Sequence, residues 1–533
     1  SPEAYLGEKP GYYPPFHPIL KKAPLVKFIP QERKEISPLP FSHPSFSTSP
    51  GGYEELISSL RHPFAAETAQ MSYRGEKGMT QPPSQIPLKE KIPPAPEKEK
   101  VSPPYLSLSA YIGGNNNFGY QLNYGRKEKE KKNIYFFTLK RDFTSHYVNY
   151  KKDSSSEFLS KEGDEAKLDL GWDLSEEREF SLSLEGAQKK IALPGDKEEN
   201  KNTLGIKGDW KFQRERNTFK IKGWAEKGGI NEGKGTDYGA QVEMEMRGTP
   251  LTLGISGDWK NIHNGSSTRK SQSHLWISDK AIPTGEIKGL SISARIGVKG
   301  IEDKGEFLPY LKVAYQANPQ MRVKVVGEKE FYLSKFSDLY IANDYVKVNP
   351  LLGPSNFWNY KIGLEYKVSP QMDASFEAFY KEGEDLIWNE DDAELPVEPI
   401  NADILLRGGQ LRLLHRFGEN FEQELIYTHQ EAKNTAHPGK VVPYLPQNSG
   451  KLLLRWSQND WQIEAGGEII GERYCNEDTT EKLSSGWKGR LKVSKKIGKR
   501  IEGFAQLELN DYQLWKNYHL PDNKYILGIE AKF

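Results

Sequence analysis

At 533 residues the chain could hold several ordinary domains, yet only 36% of it is hydrophobic and its mean hydropathy is −0.72, which argues against a large conventional core. Lys and Arg (74) almost cancel Asp and Glu (73), so net charge draws the protein neither to nucleic acid nor to acidic lipid. Aromatic residues make up 11% and charged residues 28%, and a β-barrel separates such a mixture strand by strand, with one face to lipid and one to a wet lumen.

Residues 1 to 102 come first in chain order. They carry "GYYPPFHPIL", "ISPLPFSHPSF" and "KIPPAPEKEKVSPP", with prolines too frequent for a helix or a central strand. This extension is expected to be irregular or extended. One short helix is allowed at "GGYEELISSLRHPF", and the stretch from Pro82 to Pro104 reads equally as a polyproline II spacer or as plain disorder. Tyr12, Tyr13, Phe16, Phe41 and Phe46 favour docking on a partner over pure solvation. A first residue Ser1 in place of Met suggests a removed secretory signal, and a trimmed start would look the same.

From Tyr105 onward the pattern changes to period two, and a barrel domain is expected over 103 to 533. In "TLGIKGDWKF", Leu204, Ile206, Gly208, Trp210 and Phe212 oppose Lys207, Asp209 and Lys211. No apolar run reaches the roughly 18 to 20 residues of a membrane helix, so strands must do any spanning. About twenty-two such segments can be counted, an even number as bacterial barrels require. Short turns ("QRERN", "RGTP", "ANPQ", "VSPQ", "SQND", "KKIGKR") alternate with longer polar connections beginning at Asp153, Gln188, Glu328, Gly383, Lys433, Gly471 and Asn510. The prediction is an all-β protein, a 22-stranded antiparallel transmembrane β-barrel with a proline-rich N-terminal extension, in the outer membrane of a Gram-negative-type bacterium.

The last segment, "YILGIEAKF", places Tyr525, Leu527, Ile529, Ala531 and Phe533 on one face and Ile526, Gly528, Glu530 and Lys532 on the other. The first face is expected to meet lipid and, with its terminal aromatic residue, to be the signal read by the outer-membrane assembly machinery. Other chemistry is sparse. No nucleophile, base and oxyanion motif occurs, so an enzyme is not expected, and neither catalytic nor cofactor-binding residues are assigned. The single Cys475 excludes an internal disulfide, a multi-cysteine metal site and c-type haem attachment. Glu384, Asp385, Glu390, Asp391, Asp392 and Glu394 read as a solvated acidic loop, without the ligand spacing of a calcium site. "GRKEKEKKN" reads as a soluble turn, and His415 and His429 as structural.

The stretch "NPLLGPSNFWNYKIGLEYKVSPQMDASFEAFYKEGEDLIWN" (Asn349 to Asn389) resembles the barrel of TonB-dependent outer-membrane receptors. "GGQLRLLHRFGENFEQELIYTHQEAKN", "VPYLPQNSGKLLLRW", "IIGERY" and "NYHLPDNKYILGIEAKF" follow in the order of that family's later hairpins and last strands. The resemblance implies the architecture and delivers no substrate. The family's glycine-rich plug and energy-coupling box are not recognisable in residues 1 to 102, which points away from conventional TonB-energised uptake. Two functions follow as expectations: a transport conduit or porin-like channel, or a structural anchor that houses a partner protein through its lumen and N-terminal arm. Residues 1 to 102 would then be a substitute plug or a periplasmic arm.

Overall fold

The computed structural model describes residues 105–532 apart from short stretches, the longest being 128–133, 284–288 and 391–396. These residues belong to one unit spanning 48–533. The possible helix near Tyr53, the spacer from Pro82 to Pro104, the aromatic residues of the first fifty positions and Phe533 lie outside the described residues.

The described residues form a closed antiparallel barrel of 22 strands. Its first half comprises β1 (Tyr105–Gly113), β2 (Asn117–Lys127), β3 (Ile134–Lys152), β4 (Ser155–Ser175), β5 (Arg178–Leu193), β6 (Lys197–Arg214), β7 (Asn217–Ile230), β8 (Gly233–Met246), β9 (Leu251–Asn264), β10 (Ser266–Asp279) and β11 (Leu290–Ile301). The second comprises β12 (Lys304–Asn318), β13 (Met321–Tyr332), β14 (Ser355–Ser369), β15 (Met372–Glu390), β16 (Val397–Phe417), β17 (Phe421–Asn434), β18 (Asn448–Gln458), β19 (Trp461–Ile470), β20 (Gly486–Ile497), β21 (Ile501–Asp511) and β22 (Asn523–Lys532). Each strand pairs with its sequence neighbour, and β1 closes the ring on β22 in a register running from Ser107 opposite Lys532 to Gly113 opposite Ile526. Closure leaves no unpaired edge, which is the condition for strands to cross a bilayer.

Alternation decides the faces. On β4, Ala166, Leu168, Leu170 and Trp172 share one face, and the same face continues outward into Asp164 and Glu162. Four alternate residues at about 3.3 Å per residue cover roughly 20 Å along the strand, a large part of a lipid-facing band. Across β5 and β6 the outward face carries Leu184, Leu204, Ile206 and Trp210, all exposed. Toward the end with the short turns, stacked rings form a girdle: Trp172 on Phe180 at 5.3 Å, Trp210 by Phe212 at 5.0 Å and Phe212 on Phe219 at 4.9 Å. Aromatic residues favour the interface between hydrocarbon and water.

The short turns hold as expected: β12 to β13, β14 to β15, β16 to β17, β18 to β19 and β20 to β21 are all tight hairpins at one end. By the topology of such barrels this end is periplasmic. The long connections expected at Asp153, Gln188 and Gly383 are not loops. β3 and β4 pair up to Lys152 opposite Ser155, β5 and β6 to Leu193 opposite Lys197, and β15 and β16 to Glu390 opposite Val397. Beyond the bilayer a strand can be polar on both faces, so hydropathy falls there while the hydrogen-bond ladder continues. The acidic run is corrected where it is described: Glu384, Asp385 and Glu390 belong to β15, and Asp385 is fully buried and pairs with Lys381 at 2.5 Å, while Asp391, Asp392 and Glu394 lie outside the described residues.

Candidate functional site: the closed outer mouth

Among the described residues, four connections at the opposite end are long: 333–354 (335, 337–338, 341–344 and 350 apart), 435–447, 471–485 and 512–522. Three of them are rich in large apolar residues that do not alternate, and the mostly polar 471–485 adds Tyr474, Cys475 and Leu483; such residues must leave water together. They do so by folding inward. Phe336, Tyr340 and Tyr345 from the first loop, Tyr444 from the second, Cys475 from the third and Trp515 and Tyr518 from the fourth enter one buried cluster. The extended walls complete it with Val148, Leu159, Ile191 and Ile230 from β3, β4, β5 and β7, and with Trp388 from β15.

Loop 333–354 starts on β13 and ends on β14, yet it reaches the far wall. Phe336 lies against Gly235 of β8, where a Cβ would come within 2.2 Å of the Phe336 ring, so only glycine fits beneath it. Lys347 donates its amide to Val397 of β16 at 2.9 Å. Tyr345 stacks near Tyr518 with centroids 4.6 Å apart, and Tyr518 pairs with Tyr150 of β3. Trp515 meets Trp388 at 6.0 Å and Tyr444 at 4.9 Å. Tyr444 donates its amide to Tyr474 at 2.7 Å, joining the second and third loops. The loops therefore form a cap across the mouth. Two of its aromatic residues, Tyr345 (φ 64°) and Tyr444 (φ 59°), hold left-handed backbone that bulky side chains rarely adopt.

Buried cations meet this cap. Lys201 of β6, with a fully buried side chain, donates to the Tyr340 carbonyl at 2.8 Å and lies 3.4 Å from Glu199. Lys260 of β9 donates to the Leu333 carbonyl. Lys488 of β20 lies 4.3 Å from the ring centre of Tyr512 and 3.7 Å from Glu468. Arg473, itself on the third loop, donates to the Gln513 carbonyl and lies over the same Tyr512 ring at 4.5 Å. Burial pushes the phenols of Tyr340 and Tyr512 up from their ordinary range, so both stay protonated. The Tyr340 hydroxyl donates to the Asn349 carbonyl and accepts from the Asn349 amide, both at 3.1 Å.

Toward the periplasmic end the inner wall carries a chain of alternating charges across six strands, from Asp373 through Arg416, Glu422, Arg455 and Glu464 to Arg490, with links of 2.9 to 3.6 Å. Neighbouring strands present these groups to one another in register, so the wall satisfies its own charges. Among the described residues no group of His, Cys, Asp and Glu could hold a metal ion. His429 bonds Asn448 at 2.8 Å and His415 packs on Phe417, each within the wall.

On β22, Tyr525, Leu527 and Ile529 are more than half or about half exposed on the outer face, while Lys524 and Ile526 are buried inside. Ala531 continues the outward face. The cap itself was not foreseen from sequence, although aromatic residues without alternation in 333–354 and 512–522 are a signal for it.

A family model described as TonB dependent receptor-like, beta-barrel, matches residues 94–522. The chain belongs to this family. It is an outer-membrane β-barrel of Gram-negative type, and the family is one of transporters, not enzymes. The fold is similar to the ferric enterobactin receptor PfeA of Pseudomonas aeruginosa, in a mutant form, with a TM-score of 0.64 at 12% identity over 82% of this chain and 81% of that one. It is similar to the FrpB iron transporter of Neisseria meningitidis (F5-1 variant), with a TM-score of 0.65 at 12% identity over 81% and 82%. The siderophore receptor PirA of Acinetobacter baumannii gives 0.64 at 10% identity over 82% and 81%. Likeness at such identities is one of fold. No curated protein sequence matches the chain.

Proposed function

We propose that this barrel is a transport conduit across the outer membrane that rests closed at its outer mouth, and that it does not run on conventional TonB-energised uptake. The observation that carries the first part is the inward-folded cap over a charged inner wall. An anchor has no use for movable loops packed as a core above a polar lumen, whereas a conduit that must not leak does. The second part rests on residues 1–102, whose proline-rich sequence resembles neither the family's plug nor its coupling box. In this reading they serve as a substitute plug or as a periplasmic arm toward a protein partner, and 103–533 form the barrel domain. The ferric siderophore and iron transport named for the structural neighbours make a metal chelate the first cargo class to test.

Planar-bilayer conductance tests the conduit. Full-length protein is expected to be closed, and protein lacking both residues 1–102 and the inward part of loop 333–354 is expected to be open. If that doubly altered barrel stays shut, the structural-anchor reading replaces this one. If removing 1–102 changes nothing once the loop is shortened, the extension is an arm and no plug. Uptake that vanishes in cells without TonB would overturn the second part.

The outward face of β22 is also proposed as the assembly signal, through Tyr525, Leu527, Ile529, Ala531 and Phe533. Its support is the exposed apolar face of the closing strand. Deletion of Phe533 should lower the amount of heat-modifiable barrel in outer membranes, and unchanged assembly would remove the role. Lipid and the assembly machinery are the partners this implies.

A further inference from the structure

Strands β11 and β12 carry Ile296, Val298, Phe307 and Leu311 on their outer face, all exposed where lipid lies. Their alternate residues therefore face the lumen at bilayer depth. In register, Arg295 stands opposite Tyr310 and Ser293 opposite Lys312. At ordinary sheet spacings these four positions make a tile of about 5 by 7 Å. Every side chain in it can donate: a guanidinium, an ammonium and two hydroxyls.

The cations of this tile lack what the opposite wall provides. In the chain from Asp373 to Arg490, each arginine has a carboxylate within 3.2 Å. Among the described residues, Arg295 and Lys312 form no ion pair, and neither they nor Ser293 make a side-chain hydrogen bond. Arg295 is exposed to the lumen and lies over the Tyr310 ring, 5.2 Å from its centre, which steadies the guanidinium without neutralising it. The flanking strands put Ser278 of β10 opposite Arg295 and Val326 of β13 opposite Lys312. The acid in the adjoining row, Glu328 opposite Tyr310, is buried and accepts from Asn359 at 3.3 Å. Lys324, further along β13, pairs with Glu365 of β14. A charge at bilayer depth that faces an inner cavity without a partner marks a solute path.

We propose that Arg295, Ser293 and Lys312 form an oxyanion site on the lumen wall, which takes the carboxylate or phosphate group of an anionic solute on its way through the barrel. A planar guanidinium offers two parallel N–H groups to such a group, the ammonium adds a point charge, and the serine adds a further donor. Contact with water keeps the attraction modest, as a station that must also release its solute requires. The passage of solute rests on the conduit reading, whereas the anion site stands on the wall alone.

A thiol placed in the tile reads its potential. In a Cys475→Ser background, Ser293→Cys makes position 293 the only thiol of the chain. The full-length barrel in detergent is labelled with iodoacetate and with iodoacetamide, which differ mainly in charge. Relative to 2-mercaptoethanol, the rate ratio should favour iodoacetate by at least about threefold, the factor that two positive charges within roughly 10 Å give in screened water. Arg295→Met with Lys312→Met should return the ratio to that of the free thiol. Arg455→Met with Arg490→Met, which removes two cations already paired with carboxylates, should leave it in place. Inorganic phosphate should slow labelling by iodoacetate more than sodium chloride of matched ionic strength does. Heat-modified migration confirms that each variant is a folded barrel. An unchanged ratio in the folded barrel without Arg295 and Lys312 overturns the site. So does a lack of reaction with both reagents, since solute then does not reach the tile. Reaction only after removal of residues 1–102 gives the tile to the extension and overturns the solute site as well. Equal slowing by phosphate and chloride overturns the oxyanion preference. A barrel that shows the ratio yet never conducts refutes the conduit and keeps the site, whereas a conducting barrel without the ratio does the reverse.

Discussion

The outer ends of the two halves of the barrel solve one problem differently. In the first half, β3 to β8 rise beyond the bilayer as long paired strands joined by connections of two or three residues. In the second half, the long β15–β16 hairpin apart, the strands around the four loops stop sooner and the loops turn inward to form the cap. Both ends are polar in average composition, and the difference lies in the arrangement of their apolar residues. β4 above the membrane alternates, with Phe158 exposed and Leu159 buried, so one face can stay wet. The loop at 333–354 clusters Phe336, Leu339, Tyr340, Tyr345, Val346 and Val348, which no single strand face can bury. Rigid wall and inward loop are thus complementary, the first providing the surface against which the second packs.

That division can be broken at its strongest point by replacing 335–350 with a short glycine-serine linker. Cells carrying this variant should become sensitive to large antibiotics such as vancomycin, while shortening the β9–β10 hairpin by two residues on each strand should leave sensitivity unchanged. Equal effects would mean the two halves do not differ in function. Next in size is Lys381→Met. It leaves Asp385 buried and uncompensated, which should destabilise the barrel by about 3–5 kcal/mol in urea unfolding, and Asp385→Leu in addition should recover most of the loss.

Trp515→Ala removes the ring shared by Trp388 and Tyr444. The loss of about 3–5 kcal/mol expected for such a truncation should fall on the cap alone, so Cys475 reacts faster while the urea midpoint of the barrel stays put. A shifted midpoint would show cap and wall to be one cooperative unit. Gly235→Val should act more mildly and in the same direction, because Phe336 must move aside, and its readout is again the thiol rate. The smallest effect is expected for Arg455→Ala in the inner charge chain, below about 1 kcal/mol, since its neighbours retain other partners and water reaches them.

Much of this architecture was legible in the sequence. Alternation such as Leu204, Ile206 and Trp210 fixes the faces of a strand locally, and "SQND" or "VSPQ" marks a tight hairpin without reference to the rest of the chain. The connection at Asp153 was misread because loss of hydropathy signals the end of the bilayer and not the end of a strand. Asp385 was misread because its partner Lys381 and its buried surroundings are set by inward-facing geometry that an acidic run does not reveal. The cap was less accessible still. Lys201 and Tyr340 are 139 residues apart, and the hydrogen bond between them exists only once the ring has closed. The two histidines, read as structural, sit in the wall, His429 on Asn448 and His415 against Phe417.

The left-handed backbone at Tyr345 and Tyr444 bears on how sharply the mouth can switch. Each such residue stores about 1–3 kcal/mol that only dense surroundings sustain. Swinging out relaxes both, so the shut form resembles a sprung catch. Partial loosening releases stored strain and hastens the remainder, which makes intermediate, half-ajar states sparse. Release should therefore be abrupt, with thiol reactivity and conductance rising together over a narrow range of urea concentration.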